Sequence, residues 1–240
     1  NIFVQVYLLN KFDQNSKDSS KNFKSKFKKK FSKKSFYALL RQIRNFIQNL
    51  QPKKNKTIWE DYSKNNTYDQ DEENIKKDCV SEFISKNKFE LLCDLGCNNG
   101  LYSILALNKG VEKVIGFDYD LNAVEDAYYL SQKNNYNFLP LYLDASNPST
   151  RIGWNENERK SFKDRAKFDC VLALAFEHHL SLAKNIPLGE VLEWLISIAP
   201  KGLIEFVPKN DQTVKKMLEI KGDIFQDYNE DNFEKYIKKN

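Results

Sequence analysis

The stretch that decides the fold follows an apolar strand and reads Asp94-Leu95-Gly96-Cys97-Asn98-Asn99-Gly100. Gly96 permits a tight turn after the strand, and Gly100 lets the following helix approach the strand closely. The N-terminus of that helix directs backbone N–H groups at a ligand, and the carboxylate of Asp94 can accept hydrogen bonds from a cationic amine. The stretch predicts a strand–turn–helix unit that binds a ligand, a unit that many α/β proteins contain.

The chain after residue 89 alternates between predicted strands and predicted helices. Stretches with helical periodicity separate the apolar runs of strand length, which cover residues 89–95, 113–118, 138–143, 168–176 and 202–207. Parallel strands need crossover connections of this kind. The predicted fold class is therefore α/β: a Rossmann-like, doubly wound, mostly parallel sheet with a helical N-terminal extension.

Acidic residues stand at the ends of the second and third predicted strands. Asp118 can accept hydrogen bonds from both hydroxyls of a ribose, while Asp144 and the backbone at Ala145 can bind the edge of an adenine. Because the carboxyl ends of parallel strands meet at one edge of the sheet, these groups converge on a nucleoside site. The predicted cofactor-binding residues are Asp94, Gly96, Cys97, Asn98, Gly100, Asp118, Tyr119, Asp144 and Ala145.

These motifs resemble those of the class I S-adenosylmethionine-dependent methyltransferases. The glycine-rich motif of that family matches Asp94-x-Gly96-x-Asn98-x-Gly100, with Asn98 in place of the commonest middle glycine. The Gly-x-Gly-x-x-Gly spacing of NAD-dependent dehydrogenases is not met. The resemblance implies S-adenosyl-L-methionine as the cofactor and transfer of the methyl group from its sulfonium.

Longer segments resemble a bacterial subgroup, the nodulation-protein-like methyltransferases. The matching segments include Trp59-Glu60-Asp61-Tyr62, Asn147-Pro148-Ser149 and the run from Leu172 to Leu180. In that subgroup the methyltransferase unit follows a substantial N-terminal region. The resemblance therefore implies that this sequence belongs to a longer chain, and it does not supply the methyl acceptor.

The residues after the fourth strand are the candidates for catalysis, because in this fold that strand end faces the methyl group. They are Glu177, His178 and His179. A histidine can remove a proton from a hydroxyl near neutral pH, whereas the alternative is that one histidine caps a helix and the other packs on the sheet. Enzymes that methylate exocyclic amines usually carry Asn/Asp-Pro-Pro-aromatic here. Its absence from residues 174–177 favours an oxygen of a small-molecule or glycan-type acceptor.

Three aromatic residues, Trp59, Tyr62 and Trp154, are candidates for a substrate pocket, with simple cover of the core as the alternative. The fold usually finishes with a β-hairpin, but here an acidic helix follows residue 229. We therefore expect a methyltransferase domain over residues 57–240 that lacks its last β-hairpin.

Charge divides the 240 residues into a basic head and an acidic body. Residues 1–56 carry 15 Lys or Arg against two acids, although the whole chain has a net charge of only +5. We expect a basic, partly helical extension or linker over residues 1–56. The four cysteines lack zinc-site spacing, which predicts free thiols, no metal and a cytoplasmic protein. The apolar runs are too short for a membrane-spanning helix, so we also expect no transmembrane segment.

Two other functions fit the sequence. The lysines of residues 21–34 could contact phosphates of a nucleic acid, which would make the chain a nucleic-acid methyltransferase. The same segment carries aromatic residues at nearly helical spacing, which also suits an anionic membrane surface or a linker helix that packs on protein. The second function is a non-catalytic module that binds the cofactor or a partner.

Overall fold

The computed structural model describes residues 32–50 and 70–239. Trp59, Tyr62 and the lysines of residues 21–30 lie outside the described residues. The chain divides into two compact units, residues 1–55 and residues 56–240. In the first unit, helix α1 (Lys33–Gln48) begins at Ser32, whose hydroxyl accepts a hydrogen bond of 3.1 Å from the backbone N–H of Ser35.

The second unit alternates strands and helices along most of its described length. Its strands are β1 (Leu91–Leu95), β2 (Lys113–Asp118), β3 (Phe138–Tyr142), β4 (Cys170–Ala173) and β5 (Lys201–Ile204). Its α-helices are α2 (Gln70–Ser85), α3 (Leu101–Asn108), α4 (Leu121–Asn134), α5 (Phe162–Arg165), α6 (Leu188–Ile196), α7 (Gln212–Lys221) and α8 (Glu230–Lys239). A 3₁₀ turn (Trp154–Glu156) and a π-helical turn (His179–Ala183) complete it.

The five strands form one sheet in the order β3-β2-β1-β4-β5, and every neighbouring pair is parallel. The predicted fold class is confirmed, and this sheet is parallel throughout rather than only in part. The strand order reverses between β1 and β4, which is the switch point where doubly wound sheets bind ligands.

Alternate residues of the central strands face opposite sides of the sheet and enter two separate cores. Leu92 and Leu172 pack with Val80 and Ile84 of α2, whereas Val171 packs on the side of α6. Strands that are buried on both faces are typical of a parallel sheet covered by helices. The sheet is thereby held rigid, with its carboxyl edge left open for a site.

Strand β4 ends at Ala173, three residues earlier than expected from its apolar run. The reason is the backbone of Ala175, which adopts a left-handed conformation with φ +49° and turns the chain out of the sheet. Within residues 70–239, no strand follows β5, so the described part of the chain does not contain the terminal hairpin usual for this fold.

All four cysteines are free, and three of them, Cys93, Cys97 and Cys170, are buried. Among residues 32–50 and 70–239, no helix combines the length and the apolar character needed to cross a bilayer. The same residues contain no cluster of three or more side chains that could hold a metal ion.

Candidate cofactor and acceptor site

A cavity of about 230 Å³ opens at the carboxyl edge of the sheet, beside the switch point between β1 and β4. Its walls come from the residues that follow β1, β2, β3 and β4. Seven residues singled out from the sequence line it: Gly96, Asn98, Asp118, Tyr119, Asp144, Ala145 and His179. Four separate strand ends therefore converge on one space of ligand size.

The turn after β1 is tied to the end of β2 by backbone hydrogen bonds. The N–H groups of Gly96 and Cys97 donate to the carbonyl oxygen of Phe117 at 2.8 and 3.1 Å. Gly96 has a φ of +75°, and a Cβ at this position would lie 3.0 Å from the ring of Phe176. Only glycine meets both demands without strain. The turn thus places Asn98 in the cavity wall, and Phe176 closes over it.

Asp118 is the acidic residue of the site that makes the most backbone contacts. Its Oδ2 accepts a hydrogen bond of 2.8 Å from the N–H of Asn98, and its Oδ1 accepts one of 2.8 Å from the N–H of Asp120. Burial raises the pKa of Asp118, while these hydrogen bonds act in the opposite direction. Because a carboxylate can accept about four hydrogen bonds, Asp118 keeps capacity to accept a hydrogen bond from a ribose hydroxyl.

Lys184, which the sequence analysis did not single out, lies near both Asp144 and Tyr119 in the cavity wall. The hydroxyl and N–H of Ser146 hydrogen-bond to Asp144 and lower its pKa, and the charge of Lys184 lowers it further. Lys184 Nζ lies 5.4 Å from the centre of the Tyr119 ring. Lys184 occupies the turn after the π-helical residues, and no local motif marks such a position in advance.

Three residues predicted to bind the cofactor are absent from the cavity wall. The carboxylate of Asp94 is 2% exposed and accepts a hydrogen bond of 2.6 Å from the hydroxyl of Ser103, and burial raises its pKa to about 6. Cys97 points its side chain inward at Gly116. Gly100 begins α3 with φ +88°, and a Cβ there would lie 2.5 Å from the ring of Phe138. All three residues pack inside the protein next to the turn and do not face the cavity.

The end of β4 brings His179 to the cavity. The positive φ of Ala175 and the π-helical turn that starts at His179 are backbone features often found at functional sites. Burial, and secondarily the neighbouring His178, lower the pKa of His179 to about 3. The two imidazole rings lie 4.1 Å apart, centre to centre. His179 is therefore a neutral imidazole at physiological pH.

The structure places the other two catalytic candidates behind the wall. Glu177 is fully buried, and its Oε1 accepts hydrogen bonds of 3.0 Å from the N–H of Val207 and 2.7 Å from the hydroxyl of Tyr228. His178 is also buried, with Nδ1 lying 3.7 Å from Glu177 Oε2. Neither residue lines the cavity, so of the three catalytic candidates only His179 reaches it.

Trp154 was predicted to line a substrate pocket, and the structure does not place it there. It lies on the 3₁₀ turn between β3 and α5, its side chain is 83% exposed, and it is absent from the cavity wall. The expectation rested on its position in a long connection, and position in a connection does not determine which way a side chain faces.

The sheet order, the glycine turn and the acidic strand ends agree with the resemblance of the motifs to the class I S-adenosylmethionine-dependent methyltransferases. One of the relatives that the chain matches is a nodulation protein, which confirms the resemblance to that subgroup. Over 200 residues, or 83% of this chain, the chain is 49% identical to the nodulation protein NoeA of Rhizobium meliloti (strain 1021). The match spans 42% of that relative, so this chain corresponds to less than half of its length.

More distant likenesses point to proteins named as methyltransferases. A segment of 62 residues, 25% of this chain, is 40% identical to 21% of the ribosomal protein L11 methyltransferase of Tolumonas auensis. The methyltransferase domain of bacterial CtHen1-C has a TM-score of 0.47 and 13% identity, over 68% of this chain and 80% of that one. So remote a structural likeness adds nothing about activity. No family model matches this chain.

Proposed function

We propose that this chain is an S-adenosylmethionine-dependent methyltransferase that methylates an oxygen of a small-molecule or glycan-type acceptor. The observation that carries the proposal is the cavity in which Asp118, Asp144 and His179 meet at the switch point of the sheet. The first two residues suit a nucleoside, and the third suits a nearby hydroxyl. The methyltransferase names of the shorter matches support the reaction class.

The residues of the cavity fit the proposed cofactor. Asp118 would accept the ribose hydroxyls, while Asp144 and the backbone of Ala145 would contact the adenine. Among the described residues, Asp120 Oδ2 is buried without a hydrogen-bond partner, and Asp120 lines the cavity beside Asp118. A buried acceptor in this state is most stable when a ligand supplies a donor. Two neighbouring acids therefore favour a ligand rich in hydroxyl or amine donors.

S-adenosylmethionine supplies an electrophilic methyl group, so the protein has to align the acceptor, exclude water and accept a proton. Leu174, Phe176 and Leu180 give the cavity an apolar wall beside His179. An imidazole with a lowered pKa is unprotonated but is a weak base, and it can accept the proton because the acceptor oxygen becomes strongly acidic as it receives the methyl group. His179 is therefore the base in this proposal, and His178 packs behind it.

The cellular location is part of the same proposal. We place the protein in the cytoplasm, where thiols stay reduced, because all four cysteines are free and three of them are buried. Extraction under non-reducing conditions should leave all four thiols open to labelling after denaturation.

Calorimetric binding of S-adenosylmethionine and S-adenosylhomocysteine tests the cofactor site. We expect binding to the full chain, and Asp118→Ala should weaken it at least tenfold, or about 1.4 kcal/mol. Asp126→Ala is the matched control, because Asp126 is an exposed acid on the adjoining helix α4. A folded wild-type chain that binds neither compound would refute the proposal.

A second experiment separates the enzyme from a non-catalytic cofactor-binding module. Release of S-adenosylhomocysteine is measured with hydroxylated small molecules and glycans as acceptors. His179→Ala should abolish the release and leave cofactor binding intact, whereas His178→Ala should mainly lower stability. Cofactor binding without turnover of any acceptor would favour the module. Turnover with RNA or DNA instead would favour the nucleic-acid methyltransferase.

A further inference from the structure

Helix α1 has an apolar face that the proposed enzymatic function does not use. The helix belongs to the unit of residues 1–55, and none of its residues is buried. At about 100° per residue, seven large apolar side chains fall within roughly 120° of its circumference. Six belong to the helix, namely Phe36, Leu39, Leu40, Ile43, Phe46 and Ile47, and Leu50 follows two residues after its end; the five that are most exposed have 44 to 59% of their surface accessible.

The charged residues of α1 are all basic and lie along one edge of that face. On the helical wheel, Lys33 and Arg44 border the apolar stripe, and Lys34 and Arg41 continue the basic edge. The rest of the polar face is neutral, with Gln42 toward the other edge of the apolar stripe and Asn45 on the side of the helix opposite the stripe. From residue 19 to residue 50 the sequence contains ten Lys or Arg and no acidic residue. An acidic partner is therefore the electrostatic complement of this segment.

We propose that α1 lies in the surface of an anionic membrane, with its apolar face among the acyl chains and its basic edge at the headgroups. A helix with an apolar face, a basic polar face and low overall hydrophobicity is typical of such interfacial binding. Long basic side chains next to the apolar stripe can extend their charges to the phosphates. Each basic residue near an anionic surface adds to the affinity, so the four basic residues of α1, Lys33, Lys34, Arg41 and Arg44, all strengthen the contact.

A lipid surface fits these observations better than a nucleic acid or a helical partner. Nucleic acids attract the basic residues but provide no apolar phase for an exposed apolar stripe. A two-stranded coiled coil covers a narrower seam and usually extends over three or four heptads, whereas α1 has 16 residues. At an interface between water and anionic lipid, the helix uses the apolar stripe and the basic edge at the same time.

Flotation of the full chain with vesicles tests this proposal. The chain should bind vesicles that contain phosphatidylglycerol, bind those of pure phosphatidylcholine at least tenfold more weakly, and lose affinity as salt is added. The double variant Leu40→Asp/Ile47→Asp places two charges on the apolar face and should abolish binding. Its matched control, Gln42→Asp/Asn45→Asp, adds the same charge on the polar face and should retain substantial binding.

Three outcomes would overturn the proposal. If both double variants lose binding equally, charge alone holds the chain to the vesicle. If Leu40→Asp/Ile47→Asp still binds, the apolar face is not inserted. If the wild-type chain is a dimer in solution that this variant dissociates, the face is an interface between two copies. Calorimetric binding of S-adenosylmethionine should be unchanged in all variants. Loss of vesicle binding therefore bears only on the membrane proposal, and loss of cofactor binding bears only on the proposed methyltransferase function.

Discussion

Gly96 governs both the backbone turn after β1 and the wall of the cavity. Its φ of +75° favours glycine, and the ring of Phe176 leaves no room for a methyl group. Phe176 also lines the cavity, so a Cβ added at residue 96 requires this part of the cavity wall to shift. The absence of a Cβ at residue 96 therefore matters twice: it permits the positive φ of the turn, and it leaves space for the Phe176 ring in the cavity wall.

Gly96→Ala should lower stability by about 1–2 kcal/mol and weaken binding of S-adenosylmethionine at least tenfold, because both the turn and Phe176 must shift. Gly110→Ala is the control. Gly110 also has a positive φ, +102°, but nothing lies within 4 Å of a Cβ there. It should cost stability through the backbone alone and leave binding unchanged. Urea denaturation and calorimetry measure the two effects, and equal binding by the two variants would refute this role of Phe176.

His179 makes stability depend on pH. Its pKa is about 3 in the folded protein, against about 6.5 when the chain is unfolded, so the unfolded state binds more protons between these values. Stability should therefore fall as the pH falls below 6.5. Asp94 acts in the opposite sense: its pKa is raised to about 6, so its contribution is complete below about pH 4 and is lost as the pH rises through 6.

Replacing His179 by Phe isolates the contribution of His179 to the pH dependence of stability, because Asp94 contributes equally in the wild type and in the variant. The stability of the wild type relative to His179→Phe should be about 2 kcal/mol lower at pH 5 than at pH 7. Urea denaturation of both proteins at the two pH values measures this difference. A difference that does not change with pH would mean that His179 is protonated or solvent-accessible in the folded protein.

At the scale of elements, the π-helical turn that carries His179 is held by the end of α7. Lys221 Nζ donates to the carbonyl oxygens of Leu182 and Ala183 at 3.0 and 2.7 Å and to Asn185 Oδ1 at 2.9 Å. These carbonyls belong to the last residues of the turn, where helical carbonyl groups need partners from outside the helix. One cation therefore anchors the end of the turn that carries His179.

Lys221→Met should reduce the rate of methyl transfer more than the affinity for S-adenosylmethionine, because it frees the wall that carries His179 and leaves Asp118 in place. The loss of charge-assisted hydrogen bonds should also cost about 1–3 kcal/mol of stability. Lys221→Arg should restore part of the rate. Lys216→Met, at an exposed lysine on the same helix, should change neither quantity. Kinetics at saturating cofactor test this, and an unchanged rate in Lys221→Met would contradict it.

At the scale of the whole molecule, residues after β5 complete the core beneath the site. The hydroxyl of Tyr228 lies 2.7 Å from Glu177 Oε1 and 2.6 Å from the carbonyl oxygen of Val207, and the residue is almost fully buried. Glu177 is the first residue of the helical segment that contains both histidines. The segment after β5 is therefore joined through a buried polar network to the helical segment that carries His179 into the cavity wall.

Tyr228→Phe removes the hydroxyl and leaves Glu177 with one donor fewer. Because an unsatisfied buried acceptor is costly, global stability should fall by about 1–3 kcal/mol. Tyr129→Phe, at an exposed tyrosine on α4, should have almost no effect. The midpoint of urea denaturation reports both values. Equal midpoints for the two variants would show that the network contributes nothing net to folding.

Local patterns were enough to predict the parallel sheet, its helices and the acidic strand ends. The bounds of β2 coincide with the apolar run predicted over residues 113–118. Lys184 escaped prediction because its place in the cavity depends on where the π-helical turn ends. The exposure of Trp154 escaped it as well, because nothing in neighbouring residues indicates which way a loop side chain faces.

The sequence by itself determined the fold class and the cofactor face, because both depend on short-range features. Glycines that permit a turn and acids that end strands act within a few residues of their own position. The tertiary structure alone decided which of Glu177, His178 and His179 reaches the cavity. That choice depends on Ala175, which turns the chain, and on contacts from Lys221 and Tyr228 that come from some 40 to 50 residues further along the chain. Adjacent side chains differ only in direction, and packing against distant segments sets that direction.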